Sequence, residues 1–444
     1  MAFVEIPDAP RYWLLNGRVG RSLLAQKSLD ALSDGCLPSA DLIAVDVEIE
    51  GSKVVTLRPA KKGVDANDAS LVAADLRGGL IWPCFVDMHT HLDKGHIWSR
   101  SPNPDGTFAG ALATVQRDSA QRWRTEDVYR RAEFGLKCSY AHGTQAIRTH
   151  LDAFDKQAEI SFGVFRQLRD AWRGKLTLQA VCLVTLDYFM GQKGDALADL
   201  VAASGGVLGG VAFTNPEIVQ QIDRVFELAK ARDLDLDFHT DESLDPNDMN
   251  LRHVAAAAIR HNFKGRITCG HCCSLSVQTE AVSQKTIEWV KDAGISVVSL
   301  PMCNLYLQNR AEGRTPRYRG VTTLHALKAA GVDVAIASDN CRDPFFAYGD
   351  HDGLEVFTQS ARIGHLDRPI GAWPQAITST PARMMGLDDL GQIETGMDAD
   401  LVLFKARSFN ELMARGQSDR AVIRAGKPID TTLPDYAELD DLML

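Results

Sequence analysis

Two histidines one residue apart, His89 and His91, close an apolar, β-rich run, PCFVDMHTHLD. In an extended strand residues i and i+2 point to the same side, so both imidazoles can reach one ion. Three further strand-like runs end in groups of the same kind. LDLDFHTDE ends in His239, Thr240, Asp241 and Glu242, RITCGHCC carries His271, and VDVAIASDN ends in Asp339 and Asn340. Imidazole and carboxylate together suit Zn2+ or Fe2+, whereas Mg2+ and Ca2+ prefer oxygen ligands throughout. Each feature alone has an ordinary explanation. An HxH triplet arises by chance, a lone histidine such as His239 is commonly a hydrogen-bonded structural residue, and Asp339 can cap the helix that follows it. Their joint placement at strand ends instead predicts a centre for one divalent ion. With an open position, such an ion lowers the pKa of water toward neutrality, which is the chemistry of hydrolysis.

The elements that must position these groups form a regular alternation. Eight candidate strands cover 80–91, 144–152, 176–184, 206–213, 234–242, 266–273, 295–304 and 332–340, separated by amphipathic helical stretches such as EIVQQIDRVFELAKARD. This pattern predicts an α/β fold, a (β/α)8 TIM barrel over 81–385, with a doubly wound open sheet as the rival. Barrel active sites form at the C-terminal ends of the strands, where the polar groups fall. The flanking segments, 1–80 and 386–444, carry short β-runs such as DLIAVDVEIE and DADLVLFKA. They are expected to combine into one small composite β-sandwich.

Composition narrows the function. The net charge is −10 and no Lys/Arg run occurs, so the basic face that nucleic-acid binding requires is missing. The apolar runs are of strand length, too short to span a bilayer. The opening residues lack the order of a secretory signal. Nine cysteines, an odd number, show no disulfide framework. A cytoplasmic enzyme is expected, acting on a small molecule, with neither nucleic-acid nor membrane partner. The oligomeric state is left open, a homo-oligomer included.

The motifs PCFVDMHTHLDKG, IRTHLD, LTLQAV, HTDE, CGHCC, LYLQNR, ASDN, DPFFAYG and TPARMMGL…GQIETGMDADLVLF resemble the amidohydrolase superfamily, and within it the cytosine deaminase group. The resemblance runs over nearly the whole chain. It implies that His89, His91, His239 and Asp339 are the metal ligands, that Glu242 is the proton-shuttling carboxylate, and that His271 stands beside the reacting oxygen. Asp339 would also accept the proton of the attacking water. Two-metal members carry a lysine at the end of strand four. GVLGGVAF has none, so one ion is expected. Phe345 corresponds to an aromatic set against the substrate ring, and Gln308 and Arg310 are expected to line the pocket or brace its loops. Asp93 and Lys94 would support the metal motif or form a surface ion pair.

Two positions depart from the cytosine deaminase pattern. Thr185 stands where that group has a substrate-binding glutamine, and Asn340 replaces the second of two aspartates. A site built to pair a substrate's polar groups rejects rings that leave them unpaired, so the ring is expected to differ from cytosine itself. The leading expectation is deamination of an amino-substituted N-heterocycle, such as a pyrimidine, pterin or triazine, with release of ammonia. The alternatives are hydrolysis of a cyclic amide or another C–N bond at the same centre, and a metal-stabilised scaffold without activity.

Overall fold

The computed structural model of the chain describes residues 2–32, 41–60 and 72–444. Among these, five strands precede the metal motif: β1 (Arg11–Gly20), β2 (Leu42–Glu50), β3 (Lys53–Pro59), β4 (Ala73–Asp75) and β5 (Leu80–Pro83). Eight follow in alternation with helices: β6 (Phe85–Thr90), β7 (Thr144–Asp152), β8 (Thr177–Leu183), β9 (Leu208–Ala212), β10 (Leu236–Thr240), β11 (Ile267–His271), β12 (Ser296–Ser299) and β13 (Val334–Ile336). Three come last: β14 (Leu401–Phe404), β15 (Ala421–Arg424) and β16 (Lys427–Pro428).

The chain divides into two compact units. The first joins Met1–Val86, Ser139–Gln145 and Asp352–Leu433. Its strands from both flanks share one hydrogen-bonded sheet in the order β16-β15-β14-β5-β1-β2-β3, with β4 also paired to β1. β5 and β14 run antiparallel in register Leu401↔Pro83 to Phe404↔Leu80. Trp82, fully buried, anchors this unit with Phe357, Phe404 and Phe409 packed edge-on around it at 5.5 to 6.3 Å.

The second unit joins Asp87–Cys138, Ala146–His351 and Pro434–Leu444. β6, β7 and β8 form one sheet and β9 to β13 another, in sequence order. β7 pairs with β8 in parallel, as do successive strands from β9 to β13. Isolated parallel bridges link Val181 with Val207, Thr185 with Val211, and Thr90 with Asp339. Strand alternation sorts the side chains. Phe238 of β10 stacks on Phe226 of the helix Ile218–Arg232 at 6.2 Å. Asp237 and His239, of opposite parity, point to the other side of the sheet. The last residues fasten onto this unit. Arg130 makes two bonds to Asp441, and Lys137 pairs with Glu438 at 2.9 Å.

Three expected boundaries change. The run 80–91 is two strands, because the extended pairing breaks at Cys84, between β5 and β6. The run 295–304 contributes only the short strand β12, and Pro301 then opens the helix Pro301–Leu307, as suits a residue without an amide proton at a first helical position. The unit borders also fall elsewhere than 80 and 385. The helix Gly353–Gly364 belongs with the terminal sheet, and the tail after 433 with the second unit. Helical periodicity shows that a face is buried and not which sheet buries it. Here Phe357 of that helix meets Trp82.

Candidate active site

β6 delivers His89 and His91, β10 delivers His239, and β11 ends on His271. Asp339 follows β13 and is held beside β6, its amide donating to the His89 carbonyl at 2.8 Å and its own carbonyl accepting from Thr90 Oγ1 at 2.8 Å. Asp87, two residues before His89, accepts bonds from the amide and hydroxyl of Ser338 and fixes the same junction. Gly270 makes room for the metal motif, since a Cβ there would stand 3.0 Å from His89 Cε1. Asp241, His271 and Asp339 all take positive φ. Strained backbone of this kind persists where surroundings over-determine it, and clusters at functional sites.

All four predicted ligands converge. His91 Nε2 lies 3.2 Å from Asp339 Oδ1 and 3.4 Å from His239 Nε2, and His89 Nε2 lies 3.7 Å from Asp339 Oδ1. Burial holds the three imidazoles neutral, far below the ordinary histidine range, with their lone pairs available. Burial likewise raises the Asp339 carboxyl to about 7 in the absence of a cation. His89 Nε2 and Asp339 Oδ2 are buried without a hydrogen-bond partner. Unmet polar atoms of this kind are costly to bury, and a divalent cation among these nitrogen and oxygen donors removes the cost.

Glu242 and His271 complete the group. Glu242 Oε1 lies 3.3 Å from His271 Nδ1, and burial followed by the nearby Asp339 pushes its carboxyl well above the usual range. Burial also lowers His271 to about 3, so the ring is neutral at working pH. Sequence reasoning missed Asn304, which sits between them. Its Nδ2 donates to His271 Nδ1 at 3.0 Å and to Glu242 Oε1 at 3.3 Å. With Nδ1 accepting, the ring proton is on Nε2, a buried atom with no protein partner. A polar layer, also missed, supports the ligands from below. The ring of His150 of β7 lies 3.9 Å from that of His89, tilted by 30°. Beneath it Arg148 pairs with Asp237 at 2.8 Å, both fully buried.

His91, His239, Glu242, His271 and Asp339 line a cavity of about 980 Å3, counting the space that opens to solvent. Phe108, Phe154, Phe213 and Phe345 supply apolar walls, and Thr185 and Asn340 also line it. Phe108 meets Phe345 edge-on at 5.4 Å. Asn340 spends its amide on neighbours: Nδ2 donates to Asp343 at 2.7 Å, and Oδ1 accepts from Cys303 Sγ at 3.5 Å. Gln308, expected to line the pocket or brace its loops, donates to the Glu242 carbonyl at 3.1 Å. Arg310 is a brace as well, donating to the Tyr306 carbonyl and lying over the Tyr306 ring. Asp93 and Lys94 are not at the surface. Both are buried, with Lys94 Nζ 2.6 Å from Asp152 and Asp93 Oδ2 accepting from the Asp152 amide. The described cysteines are buried and unpaired, and no described helix is long and apolar enough to cross a membrane.

The amidohydrolase family model matches residues 132–430, and the chain belongs to that family, as a hydrolase acting on C–N bonds. Over 443 residues, 100% of this chain and 99% of the relative, it is 48% identical to the pterin deaminase of Rhizobium rhizogenes strain K84. It is 25% identical to the N-isopropylammelide isopropyl amidohydrolase of Pseudomonas sp. strain ADP, over 82% of this chain and 88% of the relative. Among solved structures, the 5-methylcytosine deaminase of Klebsiella pneumoniae liganded with 5-fluorocytosine superposes with a TM-score of 0.80 at 23% identity. That match covers 94% of this chain and 97% of the other, and it shows a shared fold.

Proposed function

We propose that this protein is a deaminase of an amino-substituted N-heterocycle, dependent on a single divalent ion, with a bicyclic pterin as substrate. The eight parallel strands would close as a (β/α)8 barrel carrying the site at its C-terminal rim, with the composite sheet as accessory sandwich. The observation that carries the reading is the meeting of Glu242, His271 and Asp339 within one ligand-sized group at the floor of an aromatic-walled cavity. The full-length likeness to a pterin deaminase supports the choice of ring.

His89, His91, His239 and Asp339 would hold the ion, Zn2+ or Fe2+. When bound, it polarises a water molecule and lowers its pKa toward neutrality. Asp339 Oδ2, free of protein partners, accepts the proton this water gives up. His271 Nε2–H, buried without a protein partner, would donate to the attacking oxygen and orient it toward the ring carbon bearing the amine. Glu242, kept in its acid form by burial, donates a proton to the adjoining ring nitrogen. It is then placed to take the oxygen's remaining proton and pass it to the amine, which leaves as ammonia. Phe345 would hold the ring plane by stacking, with Phe108 set edge-on beside it, and the apolar wall excludes bulk water.

The test is ammonia release from pterin, cytosine, 5-methylcytosine and a triazine by purified protein, with metal measured on the same sample. Ammonia with retention of a bicyclic oxo-ring is expected from pterin, and activity should vanish on chelation and return with Zn2+ or Fe2+. A ring-opened product without ammonia would refute deamination. Activity indifferent to chelation, in protein shown to be metal-free, would refute the metal reading.

A further inference from the structure

A second cluster of donors lies in the same unit, outside the set assigned above. His96, Cys341 and His351 place one donor atom each within 4.8 Å of one another, and all three are buried. His96 lies on the segment after the HxH motif, and its amide donates to the Cys341 carbonyl at 3.1 Å. Neither ring nitrogen of His96 has a hydrogen-bond partner, although the residue is only 4% exposed. Its ring stands 5.4 Å from that of His351 and 4.8 Å from Phe134. The backbone amide of His351 donates to the Cys341 sulfur, an arrangement that stabilises a thiolate. Both histidines hold positive φ, 62° for His96 and 54° for His351, so the backbone is strained where the rings converge.

Hydrocarbon packing does not account for this group. A buried imidazole with both nitrogens unmet gives up its hydration without compensation. Burial keeps His96 neutral, so that it offers a lone pair. Two imidazoles and one thiol are the donor types Zn2+ takes, and unlike Ca2+ or Mg2+ it favours nitrogen and sulfur.

We propose that His96, Cys341 and His351 form a second metal site, for Zn2+, distinct from the centre at His89, His91, His239 and Asp339. Binding releases the thiol proton and leaves a thiolate on the ion. The site joins the segment after β6 to the segment after β13, which are the two segments that deliver His89, His91 and Asp339. A staple there fixes the spacing of those ligands without touching substrate.

Metal-free protein titrated with Co2+ tests this, because a thiolate ligand gives Co2+ a near-ultraviolet charge-transfer absorption. Expected are two equivalents bound per chain and that absorption in the unaltered protein. Cys341→Ser should abolish the band and one equivalent, and His96→Gln should weaken both. His89→Gln should leave the band and remove the other equivalent. One equivalent with no thiolate band overturns the second site and leaves the proposed catalytic centre standing. A band that survives Cys341→Ser also overturns it, by assigning the thiolate to another cysteine such as Cys303. No metal bound at all overturns both sites.

Discussion

Asn304→Asp changes two hydrogen atoms' worth of volume and reverses the sense of one hydrogen bond. In the native site Asn304 Nδ2 donates to His271 Nδ1 at 3.0 Å, which keeps the ring proton on Nε2, facing the reaction. A carboxylate at 304 can only accept, so it draws the proton to Nδ1 and leaves Nε2 as an acceptor. The reacting oxygen then loses one pre-set donor. Removing one such donor costs roughly 10²–10³ in kcat, about 2.7–4 kcal/mol. The loss should fall on kcat more than on KM, because the bond matters most as charge develops. A further consequence fixes the sign with pH. The carboxylate favours imidazolium, so the His271 pKa rises from its native value of about 3. As pH falls toward that raised value, protonation restores an Nε2–H, and the gap between variant and native kcat narrows. Steady-state ammonia release across pH measures this, with 15N NMR of labelled histidine reporting the tautomer and metal content confirming an intact centre. Native-like kcat in the variant, or an Nε2-protonated neutral ring at position 271, would refute the tautomer argument.

Glu242→Gln should lower kcat by about 10²–10⁴ while metal analysis shows the ion retained. In the native enzyme the raised Glu242 carboxyl keeps the acid form through neutrality, so activity should fall as pH rises through that pKa, an alkaline limb absent from the variant. Arg148→Met leaves Asp237 buried without its partner and should cost about 3–5 kcal/mol of stability by denaturant titration. An unchanged midpoint would show the pair to be dispensable. Phe345→Ala should raise KM for the aromatic substrate by roughly tenfold or more, since stacking on an aromatic is worth about 1–3 kcal/mol per base. An effect confined to kcat would place Phe345 in positioning rather than in binding.

The metal motif was legible because strand parity and chemistry coincide. His89 lies in β6 with His91 one residue past its end, and His239, His271 and Asp339 each mark the end of a recognisable β-run. Asn304 was hidden by continuity. LPMCN extends the apolar pattern of β12, and only the turn at Pro301 lifts Asn304 onto a helix and over the site. His150, Arg148 and Asp237 read as scattered polar residues in different strands. Their contact depends on β7 and β10 facing a common interior, a relation that periodicity along one segment does not encode. Lys94 and Asp152 are separated in the same way, and the burial of Lys94 follows from the neighbouring strands rather than from the local sequence. Gln308 shows the converse. A polar residue in a motif near the site spends its amide on the Glu242 backbone, and sequence position alone does not distinguish a brace from a contact.

The pairing of β5 with β14 also sets an order of events during synthesis. Leu80, Ile81 and Trp82 leave the ribosome early, while Leu401–Phe404, their antiparallel partners, emerge only when most of the chain has been made. Until then one edge of β5 lacks its permanent neighbour, and an unprotected apolar edge is a template for pairing with other chains. A ribosome that stalls before Leu401 therefore releases a product with every one of the proposed catalytic side chains and an open, apolar strand edge. Its fate is decided by association with other copies rather than by any defect in chemistry.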